Sequence, residues 1–178
     1  QARASAPAPP AAPAPGEEGP GFQAASCSLF LDAVAGSTVA PTQGAPPGAA
    51  FPDRAALKAA VDSCLKADPT GADCRHDGIP ISDWDVSRVT DMSELFSGAE
   101  EFNANISSWN TSAVTRMDLM LFEASAFNGD VSSWNTSAVT DMDFMFSGAS
   151  AFNQDLSSWN TAAVTDMGLM FSSASAFN

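Results

Sequence analysis

The sequence predicts an α/β repeat fold, a solenoid in which each coil of 25 residues contributes one short strand and one short helix behind an N-terminal helical cap. The four tryptophans of the chain stand 25 residues apart, at Trp84, Trp109, Trp134 and Trp159. The block that starts at Trp109 matches the block that starts at Trp134 at 18 of 25 positions without a gap. Self-similarity at a fixed period of this length indicates a repeat architecture, in which each unit buries its apolar face against its neighbours.

The composition argues against several classes of function. Of the 178 residues, 21 are acidic and 7 are basic, which gives a formal net charge of −14. This excess of acidic residues argues against binding nucleic acid or an anionic membrane surface through a basic patch. No apolar run approaches the roughly 18 residues that a membrane-spanning helix needs, so no direct membrane span is expected.

The chain divides into four parts. Residues 1–21 are almost wholly Ala, Pro, Gly and Ser, and they predict an extended linker or arm, either a semi-rigid stalk or a peptide that lies along a partner protein. Residues 22–50 form an irregular segment, whose apolar run from Phe22 to Val34 is typical of either a strand or a turn of helix. Residues 51–80 predict the helical cap, and residues 81–178 predict a solenoid of about four coils. Because the chain begins with Gln and stops inside a repeat, both ends are expected to be processed or truncated.

The cap begins with an amphipathic helix of about three turns. Asp53 is placed to act as its N-cap, and apolar residues recur at helical spacing as far as Leu65, before Asp68-Pro69 ends the helix. A helix here suits a cap, because the first coil of a solenoid has an open apolar end that must be covered.

The cysteines favour one disulfide. Cys64 and Cys74 enclose a turn-forming stretch, and a bond between them would close a short loop; the alternative is two reduced thiols. The bond would indicate an oxidising compartment, and it would leave Cys27 as an odd thiol of unknown role.

Each coil carries the pattern of a short helix. In the third coil, four apolar residues between Met142 and Ala149 fall at i, i+3, i+4 and i+7, and the first coil repeats the pattern. The helix is expected to end near Gly98 or Gly148, because glycine tolerates the left-handed geometry found at helix ends. A threonine stands before the helix in every coil, as an N-cap would: Thr90, Thr115, Thr140 and Thr165.

The other half of each coil predicts one short strand, which lies between Asp155 and Thr161 in the last coil. Stacked copies of this strand would pair into a narrow parallel sheet. The last coil has no neighbour in this chain, so either further repeats or a partner surface is expected to cover it. The predicted core of the repeats consists of Trp84, Val89, Met92, Phe96, Trp109, Val114, Met117, Trp134, Val139, Met142, Phe146, Trp159, Val164, Met167 and Phe171.

The repeats resemble those of a known family. The run from Ile81 to Met92, ISDWDVSRVTDM, is followed by repeated WNTSAVTDM, MF and AFNQDL segments. These segments resemble the BspA-type leucine-rich-repeat surface proteins, which carry a 25-residue WDxSxVTDMxxMF repeat and occur in bacteria, mycoplasmas and many marine algae. The resemblance covers about residues 51–178. It implies a right-handed solenoid like that of leucine-rich-repeat proteins, a secreted or surface location, a role in adhesion or protein binding, and no catalytic residues, although a fold alone does not name a partner.

No catalytic constellation, cofactor site or metal site is predicted. The single histidine, His76, is best explained as a solvated loop residue, and with Cys64 and Cys74 it matches no structural zinc spacing. Carboxylates repeat at 91, 141 and 166, and again at 130 and 155. Both rows could stack and hold calcium, and the alternative for the first row is a set of helix-start acids favoured by the helix dipole.

Asparagines repeat beside the tryptophans, at Asn110, Asn135 and Asn160, and a threonine follows each of them. They predict either an internal hydrogen-bonded ladder of the leucine-rich-repeat type or a flat polar surface suited to ice or glycans. Asn110 and Asn135, together with Asn105, also begin Asn-X-Ser sequons, the acceptor sequence for N-glycosylation. A sequon inside a packed ladder would be unusable.

These patterns predict a non-enzymatic protein-binding, scaffold or surface-adhesion module that presents a rigid acidic solenoid to a protein partner. Its expected location is extracellular, at the cell surface or in an oxidising lumen. The alternative is an accessory structural subunit that stabilises a large assembly, such as the lumenal side of an algal photosystem–antenna complex in the thylakoid lumen. The Pro/Ala-rich arm supports this alternative, since it could become ordered along a partner.

Overall fold

The computed structural model describes residues 48–178, which lie within one compact unit of the chain, Thr42–Asn178. The predicted arm, Cys27 and all but the end of the predicted irregular segment lie outside the described residues. In the described part, the regular elements are helix α1 (Arg54–Ala67), strands β1 (Arg75–His76) and β2 (Ile79–Pro80), and a 3-10 helix (Ile81–Asp83). The two strands pair antiparallel, with Arg75 opposite Pro80 and His76 opposite Ile79.

Helix α1 forms where the amphipathic pattern predicts it. The side chain of Asp53 accepts a hydrogen bond from the Ala56 N–H at 2.9 Å, and it thereby satisfies one of the free donors at the start of the helix. The buried face consists of Leu57, Ala60, Val61 and Cys64. The prediction of a helix that starts after Asp53 and stops before Asp68 is confirmed.

The predicted disulfide between Cys64 and Cys74 is present, and it ties the end of α1 to the segment before β1. The Cα atoms of the two cysteines are 5.3 Å apart, within the range that disulfides adopt. Asp77 and Gly78 then connect β1 to β2 with positive φ angles of 52° and 81°. Two such residues in succession are what a type I′ hairpin turn requires.

Helix α1 and its following loop pack against the first 25-residue unit. Arg54 Nε donates a hydrogen bond to the Ser93 carbonyl at 2.7 Å, and the Asn103 N–H donates to the Thr70 carbonyl at 3.0 Å. Gly71 has a φ of 74°, and a Cβ at this position would lie 2.8 Å from the Phe102 ring. Glycine is needed here both for the backbone conformation and for the close approach.

The short helix predicted in each unit is wrong, since residues 84–178 contain turns in its place. Met142, Phe144 and Phe146 each donate their N–H to a carbonyl of the following unit at 2.9 Å. Between them, the N–H groups of Met145 and Ser147 donate to carbonyls three residues earlier in the same unit, as in β-turns. In an α-helix, the donors beyond the first turn would instead bond to the carbonyl four residues earlier in the same segment. The spacing of the apolar residues therefore reflects a series of consecutive turns. In these turns, every second backbone N–H donates to a carbonyl of the next unit.

The threonines predicted as N-caps join successive units. Thr115, Thr140 and Thr165 each donate a backbone N–H, at 2.7 to 2.8 Å, to the carbonyl of the threonine 25 residues earlier. Their hydroxyls donate to the same carbonyl at 3.0 to 3.1 Å. Beside this row, single parallel bridges link residues 91, 116, 141 and 166 in succession.

The strand predicted between Asp155 and Thr161 is also wrong. The stretch is made of turns: the Asp155 carboxylate accepts the Ser157 N–H at 2.8 Å, and the Leu156 carbonyl accepts the Trp159 N–H at 3.0 Å. Parallel pairing between units does occur, but it involves one residue per unit and lies in the Asp91 row.

Aromatic side chains form columns through the core. The rings of Phe102, Phe127, Phe152 and Phe177 stack with centroids 5.8, 6.1 and 5.9 Å apart. The indole N–H of Trp109, Trp134 and Trp159 donates to a carbonyl 28 residues earlier, at 2.8, 3.1 and 3.0 Å. Each ring thus fills apolar space while its polar atom is satisfied by the preceding unit.

The burial of the repeated side chains changes along the array. From Trp84 to Phe146, the side chains predicted as core are at most 5% exposed. In the last unit Trp159, Val164 and Phe171 are only partly buried, and Met167 is 41% exposed. The equivalents of Met167 are covered by the unit that follows them, and residues 48–178 include no unit after the one that holds Met167.

Candidate interaction surface

The repeated carboxylates organise turns and not helix starts. Asp91, Asp141 and Asp166 each accept the N–H two residues ahead at 2.9 to 3.1 Å, and Asp130 and Asp155 do the same at 2.9 and 2.8 Å. Because no helix begins at these positions, the explanation by the helix dipole is wrong; the carboxylates satisfy local N–H groups instead. Within residues 48–178, no three histidine, cysteine or carboxylate side chains gather as a metal site would require.

The asparagines beside the tryptophans do not form the predicted ladder. The side-chain oxygens of Asn110, Asn135 and Asn160 accept the N–H two residues ahead within their own unit, at 3.0 to 3.1 Å, and all three side chains are exposed. The ladder is built by a different row: the N–H groups of Asn128 and Asn153 each donate, at 2.9 Å, to the side-chain oxygen of the asparagine 25 residues earlier. Both rows of asparagines repeat every 25 residues in the sequence, and so the repeat alone does not show which row forms the ladder.

The histidine predicted to lie in a solvated loop is exposed but belongs to β1. The ring centroid of His76 lies 5.3 Å from that of Phe51 and 5.9 Å from that of Trp84. These contacts make His76 part of the edge of an aromatic cluster at the start of the array.

One position in every unit holds a left-handed backbone conformation without glycine. The φ angle is 56° at Glu94, 55° at Leu119, 54° at Phe144 and 52° at Leu169. This conformation costs a non-glycine residue about 1–3 kcal/mol. A second left-handed position, four residues further on, carries glycine in two of the four units, as expected of Gly98 and Gly148.

In the last three units the first of these positions holds an apolar residue, and in the second and third units it lies beside a further, partly exposed phenylalanine. Leu119, Phe122 and Phe144 form what we call the Phe144 patch: all three are partly exposed, and the rings of Phe122 and Phe144 meet edge to face at 6.4 Å. The Leu119 N–H donates to the Asp143 carbonyl at 2.9 Å, which fixes the second unit against the third. Leu169, at the equivalent position of the fourth unit, is 61% exposed.

Acidic residues accompany the patch, since Asp118 and Asp143 immediately precede Leu119 and Phe144. Arg116 Nη2 lies 2.9 Å from Asp118 Oδ1 and 3.4 Å from Asp141 Oδ2, and the charge of Asp118 raises the pKa of Arg116. Desolvation, followed by repulsion from neighbouring carboxylates, raises the pKa of Asp143. A cation brought beside Asp143 would relieve this repulsion.

The patch was not predicted from the sequence, although a signal for it exists. Within otherwise near-identical copies, the position of Leu119 is occupied by Glu, Leu, Phe and Leu, and that of Phe122 by Ser, Phe, Ser and Ser. Apolar residues at positions that vary between copies lie outside the apolar stripe common to all the units. Such residues are free to specify a partner, because the side chains that every unit uses for stacking lie at other positions.

The comparisons with known proteins identify a family. Among residues 48–178, no helix has the length and apolar character that crossing a membrane requires. Neither a curated protein nor a solved structure matches the chain. The family model described as "Mycoplasma protein of unknown function, DUF285" matches residues 70–178, which include every repeat unit from Trp84 onward and make up more than half of the chain. The chain therefore belongs to the DUF285 family.

Proposed function

We propose that this protein is a non-enzymatic surface module of the BspA type, a right-handed solenoid like that of leucine-rich-repeat proteins, which binds a partner protein through the Phe144 patch. The observation that carries the proposal is the combination of a left-handed backbone with a large apolar side chain at Leu119 and Phe144. Glycine or asparagine would meet the backbone requirement at lower cost. Leucine and phenylalanine at these positions instead place partly exposed apolar groups at the surface, where Phe144 meets the ring of Phe122.

The solenoid is supported by the contacts between units. Carbonyl and N–H groups 24 or 25 residues apart bond repeatedly from Thr90 to Ser172, and the phenylalanine column has the same period. In repeat proteins this arrangement makes each unit rigid through its neighbours alone, and it creates an extended surface suited to binding.

The chemistry of the patch indicates the class of partner. Partly exposed aromatic side chains are the usual energetic centres of protein interfaces, and phenylalanine and leucine offer no hydrogen bonds with which to select a small polar ligand. The units from Trp84 onward carry twelve acidic and two basic residues. We expect a protein partner with an apolar centre and a basic rim, which long-range attraction would steer to the surface.

The location proposed for this module is extracellular or within an oxidising lumen. The Cys64–Cys74 disulfide supports this location, because disulfides persist where the surroundings are oxidising and are rare in the cytosol. The excess of acidic residues would keep the module in solution and repel it from other anionic surfaces.

The test replaces Phe144 and Leu119, singly, with asparagine, which tolerates the left-handed conformation. We expect each variant to unfold cooperatively at close to the melting temperature of the parent, because relief of backbone strain offsets the apolar contacts that are lost, while capture of partner proteins from a native extract is lost. Ala151→Ser, an exposed change outside the patch, is the matched control and should bind as the parent does. Capture that persists unchanged in both asparagine variants would refute the patch as the binding site. Stoichiometric recovery with one membrane assembly would identify a structural subunit and not a free adhesin.

A further inference from the structure

We infer that Asn105, Asn110 and Asn135 are acceptors for N-linked glycans, so that adjacent units of the array carry oligosaccharides. The inference rests on the location outside the cytosol proposed above, since the glycosyl donor is found along the secretory route. The three residues begin the three Asn-X-Ser sequons of the chain, and no proline stands at the middle position of any of them.

All three side chains are exposed, and none of them takes part in the asparagine ladder between units. The residues that form the ladder, Asn128 and Asn153, are followed at the second position by aspartate, and so they are not sequons. The side chains of Asn103 and Asn128 accept hydrogen bonds from the following unit, whereas those of Asn105, Asn110 and Asn135 accept only within their own unit.

The fold and the modification use different atoms of the same amide. The side-chain oxygens of Asn105, Asn110 and Asn135 accept the N–H two residues ahead, at 3.0, 3.1 and 3.1 Å. None of the hydrogen bonds among residues 48–178 uses Nδ2 of these three residues. A glycan attached to Nδ2 leaves the oxygen in place, and the turn keeps its hydrogen bond.

The hydroxyl that a sequon requires is already held beside the acceptor amide in two of the three sites. Ser107 Oγ donates to Asn105 Oδ1 at 2.7 Å, and Ser137 Oγ donates to Asn135 Oδ1 at 2.7 Å. Asn160 makes the same turn, with the Ala162 N–H donating at 3.0 Å, but it lacks the hydroxyl. It therefore serves as an internal control for the contribution of the sequon.

The reaction is a transfer of an oligosaccharide from a lipid-linked diphosphate donor. A bond forms between Nδ2 and the anomeric carbon of the first sugar, while the bond between that carbon and a diphosphate oxygen breaks. The lipid diphosphate leaves, Nδ2 loses one of its two protons, and no oxidation or reduction takes place.

The test starts from the protein purified from its own source, treated with a peptide-N-glycosidase and then digested with trypsin. The glycosidase converts each glycosylated asparagine to aspartate. Trypsin cuts after Arg88 and Arg116, so that Asn105 and Asn110 fall in one peptide and Asn135 in the next. We expect aspartate at these three positions and unchanged asparagine at Asn160. Unconverted asparagine at all three sites would overturn the inference.

The state of the cysteines separates two kinds of failure. Protein without glycans but with the Cys64–Cys74 disulfide would refute glycosylation while leaving the proposed location intact. Protein that lacks both glycans and the disulfide would refute the location as well.

Variants secreted from eukaryotic cells test the role of each sequon. Ser112→Ala removes the sequon at Asn110 but keeps the backbone N–H that its turn needs, and Ala162→Ser creates a sequon at Asn160. We expect one glycan fewer in the first variant and one more in the second, with unchanged melting temperature after deglycosylation. An unaltered glycan number in both variants would contradict the assignment.

Discussion

Replacing Phe127 with alanine removes the middle of an aromatic column. The Phe127 ring is fully buried, with Phe102 on one side at 5.8 Å and Phe152 on the other at 6.1 Å. Its neighbours belong to units whose backbones are held by their own hydrogen bonds, so they cannot close the space left behind. We expect the variant to lose about 3–5 kcal/mol of unfolding free energy, as other buried phenylalanines do on truncation.

The matched control is Phe177→Ala at the end of the same column. Phe177 is partly buried and stacks on Phe152 at 5.9 Å and Phe171 at 4.1 Å, and it is the last ring of this column among residues 48–178. Its loss should cost about 1–2 kcal/mol, because less apolar area leaves water on folding. Urea unfolding followed by tryptophan fluorescence and circular dichroism measures both changes. Equal losses in the two variants, or a loss below about 1 kcal/mol for Phe127→Ala, would refute a core built by contact between adjacent units.

Three further outcomes are expected. Replacing Cys64 and Cys74 together with serine should lower the unfolding free energy by about 2–3 kcal/mol in non-reducing urea titrations, and no change would contradict a stabilising loop closure. Thr111→Val should lower the unfolding free energy by about 1–2 kcal/mol, because the buried Thr111 hydroxyl donates at 3.1 Å to a carbonyl of the next unit. Thr161→Val, the same change at the equivalent exposed residue, should leave the unfolding free energy unchanged. Hydrogen bonds, chiefly from the Asp73 N–H, lower the pKa of Asp68 below its ordinary value of 3.8. Its carboxylate therefore stabilises the fold above that pH, and the contribution is lost as the pH falls through the folded pKa. Melting curves of Asp68→Asn should depend less on pH below 3.8 than those of the parent, and identical profiles would contradict this role.

The features that depend on short stretches of sequence were predictable. Helix α1 follows from Asp53 and the apolar spacing after it, because an isolated helix satisfies its own N–H groups and its pattern is complete within the segment. The Cys64–Cys74 bond follows from the turn between the two cysteines. The Asp77-Gly78 hairpin was missed, although Asp-Gly is a strong local signal for such a turn.

The interior of each unit could not be derived in the same way. The apolar residues from Met142 to Ala149 have helical spacing, but alternate N–H groups find their acceptors about 24 residues away. Since periodicity records which side chains are buried and not where backbone donors are satisfied, it does not distinguish a helix from consecutive turns. The Phe144 patch does not follow from the apolar residues that all the units share, because its side chains lie at positions where the units differ.

Deleting one unit tests most directly whether the 25-residue block is the element that stacks. Removal of Asn110–Trp134 joins Trp109 to Asn135, the residue that occupies the same place in the next unit, and so preserves every row. Removal of Asn110–Phe122, about half of a unit, breaks all of the rows. We expect the first variant to unfold cooperatively, with a lower melting temperature and near-ultraviolet circular dichroism from its packed tryptophans. The second should show neither property. Cooperative unfolding in both variants, or in neither, would contradict the account.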